Sequence, residues 1–248
     1  MKNKWTKSNN TIKLTLLLIF FIGVWFTASV LEATFVWFIT INLIAIYLII
    51  KNKSTTSKDF ILGIIFGILC MPSSPIMGIS TIIPFIASIG IFKKSKNTVH
   101  IFDNNKKSIL VSVILILGVG MILGAINVFF AIGSIPINPG FKIQYVFNAL
   151  RAGIFEEIFF RLFFFAMCIY ITNDSKFSKI QNLLCYLIMI LPHTLIHFNL
   201  STFNLPSVVM LSVLFGLPFA SMLRKLNLIS AIGAHSIVDI VRFCTFVI

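Results

Sequence analysis

Apolar residues fill this chain in long blocks that short polar gaps separate. The blocks run approximately Thr11–Leu31, Ala33–Ile50, Phe60–Met71, Ile76–Phe92, Ser108–Ile135, Tyr145–Ile171, Ile180–Leu200, Leu205–Leu223 and Leu226–Ile248. A helix that crosses the hydrocarbon of a bilayer needs about 20 apolar residues, and most of the blocks approach that length. Phe60–Met71 is short, and Pro72-Ser-Ser-Pro75 separates it from the next block. Read as one piece, the stretch from Phe60 to Phe92 is too long for a single span. The pattern therefore predicts a tight hairpin or broken helices turning between Pro72 and Pro75. The expected fold is all-α: a polytopic transmembrane helical bundle with eight or nine crossings.

Composition agrees. Of 248 residues, 58% are hydrophobic and 11% charged, with mean hydropathy +1.02, whereas about a quarter of a soluble domain is charged. The formal charge of +13 raises a nucleic-acid reading, and the placement of the basic residues dismisses it. Sixteen of the twenty lie in the N-terminal tail (Lys2, Lys4, Lys7, Lys13) or between blocks, from Lys51, Lys53 and Lys58 through Lys93, Lys94, Lys96, Lys106 and Lys107 to Lys176, Lys179, Arg224 and Lys225. Cytoplasmic loops of membrane proteins have this character. The N-terminus is thus expected in the cytoplasm, and the gaps around Glu32, Lys142 and Ser201 to Asn204 outside. The partner this implies is a lipid bilayer, with no nucleic acid. Cys70, Cys168, Cys185 and Cys244 all lie inside apolar blocks without a C-x-x-C pair, and read as small buried hydrophobes. Thr11–Leu31 comes after basic residues as the core of a signal peptide would, but it is long for one and reads as a first span.

Ionisable groups inside spans are costly and mark candidate sites. They concentrate late in the chain: Arg151, Glu156, Glu157 and Arg161 in one block, His193 and His197 in the next, and His235, Asp239 and Arg242 in the last. Residues four apart share a helix face, and neighbours point about 100° apart. Glu157 can pair with Arg161, leaving Glu156 to face elsewhere; a purely structural ion pair is the competing reading of Glu157 and Arg161. His193 shares a face with His197, and His235 with Asp239, whose carboxylate could orient the imidazole or a bound water. On this topology Glu156 and His197 lie toward the outer side and His235 toward the inner, so they meet only if helices tilt, break or begin later than the blocks suggest.

Such a set can activate water. A carboxylate in a low-dielectric cavity is a stronger base than one in water, and imidazoles can stabilise an oxyanion. The same residue types bind zinc. His193-Thr-Leu-Ile-His197 even has the outer spacing of a zincin helix, although Thr194 stands where that motif has glutamate. Spacing alone does not separate the two mechanisms.

From Tyr145 to Val247 the chain resembles the CPBP family of intramembrane proteases, the CAAX protease and bacteriocin-processing group that includes the type II CAAX prenyl endopeptidases. Glu156-Glu157-Ile-Phe-Phe-Arg161 matches its E-E-x-x-x-R, His197 the histidine of its F-x-x-x-H, and His235-Ser-Ile-Val-Asp239 its H-x-x-x-N or H-x-x-x-D. His193 departs from the pattern by replacing the phenylalanine. The resemblance implies that Glu156 activates water with His197, that His235 and Asp239 complete the polar site and stabilise the oxyanion, and that Glu157 and Arg161 support it. It leaves open a divalent metal such as zinc, for which Glu156, His193, His197 and His235 are the candidate ligands. It implies N-terminal transmembrane helices over residues 1–143 and a catalytic helical core over 144–248. The expected activity is an intramembrane endopeptidase acting on a membrane-associated protein or peptide. The Lys-, Ile-, Asn- and Phe-rich composition suits a bacterial cell membrane, which favours a peptide pheromone or bacteriocin over a prenylated substrate. The alternative is a non-catalytic peptide-binding protein serving bacteriocin immunity or regulation. A transporter is a third reading, and the two similar halves with paired broken helices that would favour it are not evident.

Overall fold

The structure, a computed structural model, describes residues 2–102 and 105–246, with side chains from Asn9 onward. Asp103, Asn104 and the last two residues of the terminal block, Val247 and Ile248, lie outside the described residues. Helices α1 (Lys2–Val30), α2 (Phe35–Asn52), α3 (Ser57–Cys70), α4 (Pro75–Phe92) and α5 (Lys106–Ala131) come first. Next, α6 (Ile143–Glu156) runs through a π-helical turn at Glu157–Leu162 into α7 (Phe163–Ile171). After α8 (Lys179–Leu195), α9 (Leu205–Leu211) passes through a second π-helical turn, Ser212–Gly216, into α10 (Leu217–Lys225), and α11 (Leu228–Phe246) closes the bundle. The described residues contain no strand. The chain is a helical membrane bundle.

Among the described residues, six helices are long and apolar enough to cross a membrane: Asn9–Val30, Phe35–Asn52, Pro75–Phe92, Lys106–Ala131, Leu205–Lys225 and Leu228–Phe246. That is fewer than the eight or nine crossings expected. The difference lies in α3 with 14 residues, α8 with 17, and the α6–α7 rod, which carries four charges along its length.

Successive rods run antiparallel. The gaps after α2, α4, α7 and α10 gather at one end, where they hold each other: Lys93 pairs with Asp59, Lys94 reaches the Asn52 carbonyl, and Asp174 accepts from Ser95, Lys96 and Asn97. This is the basic end. At the opposite end Trp25 Nε1 donates to the Phe198 carbonyl at 2.8 Å, and Asn138 and Gly140 donate to the carbonyls of Thr245 and Cys244.

Lipid tails supply no hydrophobic drive between helices, so close backbone approach at small residues has to do the packing. The α3–α4 hairpin turns at Pro72–Pro75 as expected. Its arms touch at Gly67 and Gly78, where a Cβ on either would lie 2.9 or 2.8 Å from the other's carbonyl oxygen. Gly120 and Gly124 of α5 receive Ile237 and Val241 of α11. A stack of aromatic rings, Phe21 on Phe164 at 4.1 Å with Trp37 and Phe160 beside them, joins α1 and α2 to the α6–α7 rod. Isoleucines, leucines and phenylalanines such as Leu43, Ile122 and Phe129 remain on the outside, as a lipid-facing surface requires.

Candidate active site

Two local features bring the ionisable groups to one level. The first is the early end of α8: the helix stops at Leu195, two residues past His193, and the chain then runs non-helically until α9. His193 therefore sits inside the bundle while α8 never completes its rise. The second is Gly153 on α6. A Cβ there would lie 2.3 Å from the Ser236 hydroxyl and 2.8 Å from the Ile232 carbonyl oxygen. With hydrogen alone at that position, α6 lies directly on α11 one turn from Glu156 and His235.

The π-helical turn begins at Glu157. Bonding from i to i+5 widens the helix and redirects the residues after it, a device common at functional sites. Glu156 and Glu157 then both serve one cluster. His193 Nε2 is 2.6 Å from Glu156 Oε2. Arg161 bonds His193 Nδ1 at 2.9 Å through Nη2 and pairs with Glu157 Oε1 through Nη1. His235 Nδ1 is 2.8 Å from the same Glu157 oxygen, and its Nε2 is 3.5 Å from Glu156 Oε2. The five residues close a ring. Its framing half is sealed, since the side chains of Glu157 and Arg161 are both 0% exposed, whereas Glu156 retains 20%.

Donor chemistry places the protons. A guanidinium only donates, so His193 Nδ1 accepts from Arg161 and the imidazole proton sits on Nε2, donated to Glu156. Glu157 is acceptor-only toward His235, whose Nδ1 carries a proton. The ring of His235 is further held flat on Phe219, 4.8 Å away at 8°, and Arg161 lies 5.3 Å from the same phenylalanine ring.

A cavity of about 280 Å³ opens over this ring. Glu156, Arg161, His193, His197, His235 and Asp239 all line it, together with Asn127 of α5, Phe215, Phe219 and Arg242. Thus the residues expected at the site are gathered, but not equally. The carboxylate on His235 is Glu157, not Asp239, which stands on the cavity wall. His197 is exposed, with its ring 5.4 Å from that of His193. The departure from the family pattern, His193, makes the shorter of the two imidazole contacts to Glu156. Phe219 and Asn127 were not foreseen: one apolar and one amide side chain in separate helices carry no sequence signal.

Ligand atoms of Glu156, His193 and His197 lie within 4.8 Å of one another, a group able to hold a metal ion. Ligands sharing one zinc at about 2.0–2.1 Å lie no more than about 4.2 Å apart, a spacing the group would have to meet to share an ion. A metal also needs the imidazole lone pair. His193 Nε2 here bears the proton, and freeing it requires Arg161 to release Nδ1. The hydrogen bonds as they stand compete with a metal at His193.

Fold and site define an integral membrane protein with a cluster of ionisable side chains held among its helices. Residues 138–241 match the family described as type II CAAX prenyl endopeptidase Rce1-like, which spans every residue of the ring and supports a membrane protease role. No curated protein and no solved structure matches the chain.

Proposed function

We propose that this protein is an intramembrane endopeptidase in which Glu156 is the general base. The observation that carries this reading is the asymmetry between the two glutamates. Glu157 is sealed between Arg161 and His235, while Glu156 stands on the cavity wall with both imidazole contacts on Oε2. That leaves Oε1 for a water. Glu156 takes a proton from the water, the hydroxide adds to the scissile carbonyl, and the oxyanion accepts from Nε2–H of His235, which acts as an imidazolium with its other proton held on Nδ1 by Glu157. Glu156 then returns the proton to the leaving amine as the C–N bond breaks.

The other residues act through these two. His193 holds Glu156, Arg161 fixes the tautomer of His193 and the charge of Glu157, and Glu157 fixes His235. His197 and Asp239, on the wall, position water and substrate. The catalytic unit is the core of residues 144–248, with the helices of 1–143 packed around it. The substrate is a membrane-associated peptide or protein in a bacterial cell membrane, and the basic loops face the cytoplasm.

The test compares small membrane and secreted peptides, by mass spectrometry, from cells carrying the intact protein or Glu156→Gln at equal abundance. A precursor that accumulates only with the substitution supports the protease and identifies its substrate. Identical profiles with the phenotype retained sink it in favour of a binding or immunity role.

A further inference from the structure

A second cavity, about 470 Å³, lies against the first at the end of the bundle away from the basic loops. It sits in the space that α8 leaves by stopping early. The end of α1 (Ala28, Ser29) and its turn into α2 (Glu32, Ala33, Thr34) form one wall and the α8–α9 segment (His197, Asn199, Thr202) the other. His197 belongs to the walls of both cavities. The far wall is built to last: Asn199 and Thr202 bond each other through side chain and backbone, and Trp25, 5.5 Å from Phe203, ties the segment to α1 through Phe198.

Among the described residues, Glu32 is the one formally charged side chain lining this second cavity. It is exposed, and its backbone is left-handed, with φ of 50°. Glycine or asparagine fits such a turn with less strain. The carboxylate therefore stands in a place where the backbone does not ask for it, at the mouth of a polar hollow that leads to His197.

We infer that substrate reaches Glu156 through this vestibule, from the face opposite the basic loops, and that Glu32 receives a cationic group of the peptide on the way. The cation is a lysine or arginine side chain or a free amino terminus. The inference rests on the reading of the ring as the reaction site and adds the side of access and a charge preference. Exported peptides or the outward ends of membrane proteins are then the substrates, and cytoplasmic tails are not.

The experiment is protection from labelling. Ser29→Cys places a thiol on the vestibule wall, while Cys70, Cys168 and Cys185 are buried; with Cys244→Ala and Glu156→Gln in the same chain, turnover cannot consume the probe. A membrane-impermeant maleimide is added to intact cells, alone or with one of three short peptides: an N-acetylated, amidated peptide containing lysine, its norleucine counterpart, and the norleucine peptide with a free amino terminus. Labelling from outside is expected. The lysine peptide should slow it about two- to five-fold, the range an exposed ion pair supplies. Its norleucine counterpart should not, and the third peptide tells a side-chain cation from an amino-terminal one. Glu32→Gln should abolish the protection and Glu32→Asp retain it. Labelling only after permeabilisation, or protection indifferent to charge or to Glu32→Gln, overturns the inference; protection by an ethanolamine-headgroup lipid in place of peptide does so too. Because labelling needs no catalysis, a protected vestibule with an unchanged Glu156→Gln peptide profile would leave the access route standing and remove the protease.

Discussion

Replacing Gly153 with alanine adds one methyl group at the contact on which the site depends. The added carbon lies 2.3 Å from the Ser236 hydroxyl and 2.8 Å from the Ile232 carbonyl oxygen, against 3.4–4 Å for ordinary contact. The hydroxyl can turn away. The carbonyl belongs to the α11 backbone and cannot, so the two helices must part by the shortfall between 2.8 and 3.4 Å, about 0.6 Å. Overpacking of this kind costs about 1–3 kcal/mol. It also stretches the His235 contacts to Glu157 and Glu156, now 2.8 and 3.5 Å. Since misplacement by ~1 Å can cost ~100-fold in rate, a loss of about tenfold is expected. Thermal unfolding of the purified protein in detergent reads the first effect, and the rate of Glu156-dependent precursor processing at matched abundance reads the second. Ser236→Gly in the same chain removes the hydroxyl clash but not the carbonyl, so it should restore less than half of either loss. A Gly153→Ala protein within ~0.5 kcal/mol and about twofold of the parent would show that the α6–α11 approach does not set the site.

Arg161→Met should be the most damaging single change in the ring. It takes the guanidinium from the fully buried Glu157 carboxylate and leaves it His235 alone, and breaking a buried pair from one side costs about 3–5 kcal/mol, measured as lost thermal stability or loss of the folded protein from membranes. His193→Phe, which restores the family residue, should leave the fold intact and lower processing by about 10–100-fold, the usual effect of removing a group that orients a reacting one; a rate equal to the parent would show that Glu156 needs no such partner. Chelation should leave Glu156-dependent processing unchanged, because Arg161 holds His193 in the tautomer that donates to Glu156. Loss on chelation with recovery on added zinc would refute that tautomer. At the basic end, partial burial of Asp174 opposes its ionisation, but the Lys96 amide, the Ser95 hydroxyl and Asn97 outweigh it and hold the carboxyl below the ordinary value of 3.8. Its bonds thus stabilise the folded chain above pH ~3.8 and fade as pH falls through the lower folded value. The destabilisation caused by Asp174→Ala should be present at neutral pH and shrink below that point, and a penalty that is constant with pH would contradict the assignment.

The apolar blocks became helical rods one for one because in lipid each segment must satisfy its own backbone hydrogen bonds. That demand is local, so it is written in the sequence. Basic gaps gathered at one end for an equally local reason, since each is confined to a short loop. The prolines between Met71 and Ile76 marked the hairpin turn for the same reason.

The site was legible as a set of residues, because a charge inside an apolar block is conspicuous wherever it ends up. How the members pair was not. Helical spacing brought out Glu157 with Arg161, which the structure contains, but it offered Asp239 as the partner of His235, and the partner is Glu157. That choice was made by the π-helical turn, by the end of α8 at Leu195 and by the bare Cα of Gly153, which together decide which helices meet and at what height. Phe219 under His235 belongs to the same class. Such contacts join residues far apart in the chain, and their geometry is set by the packing of whole helices, which no local run of residues determines.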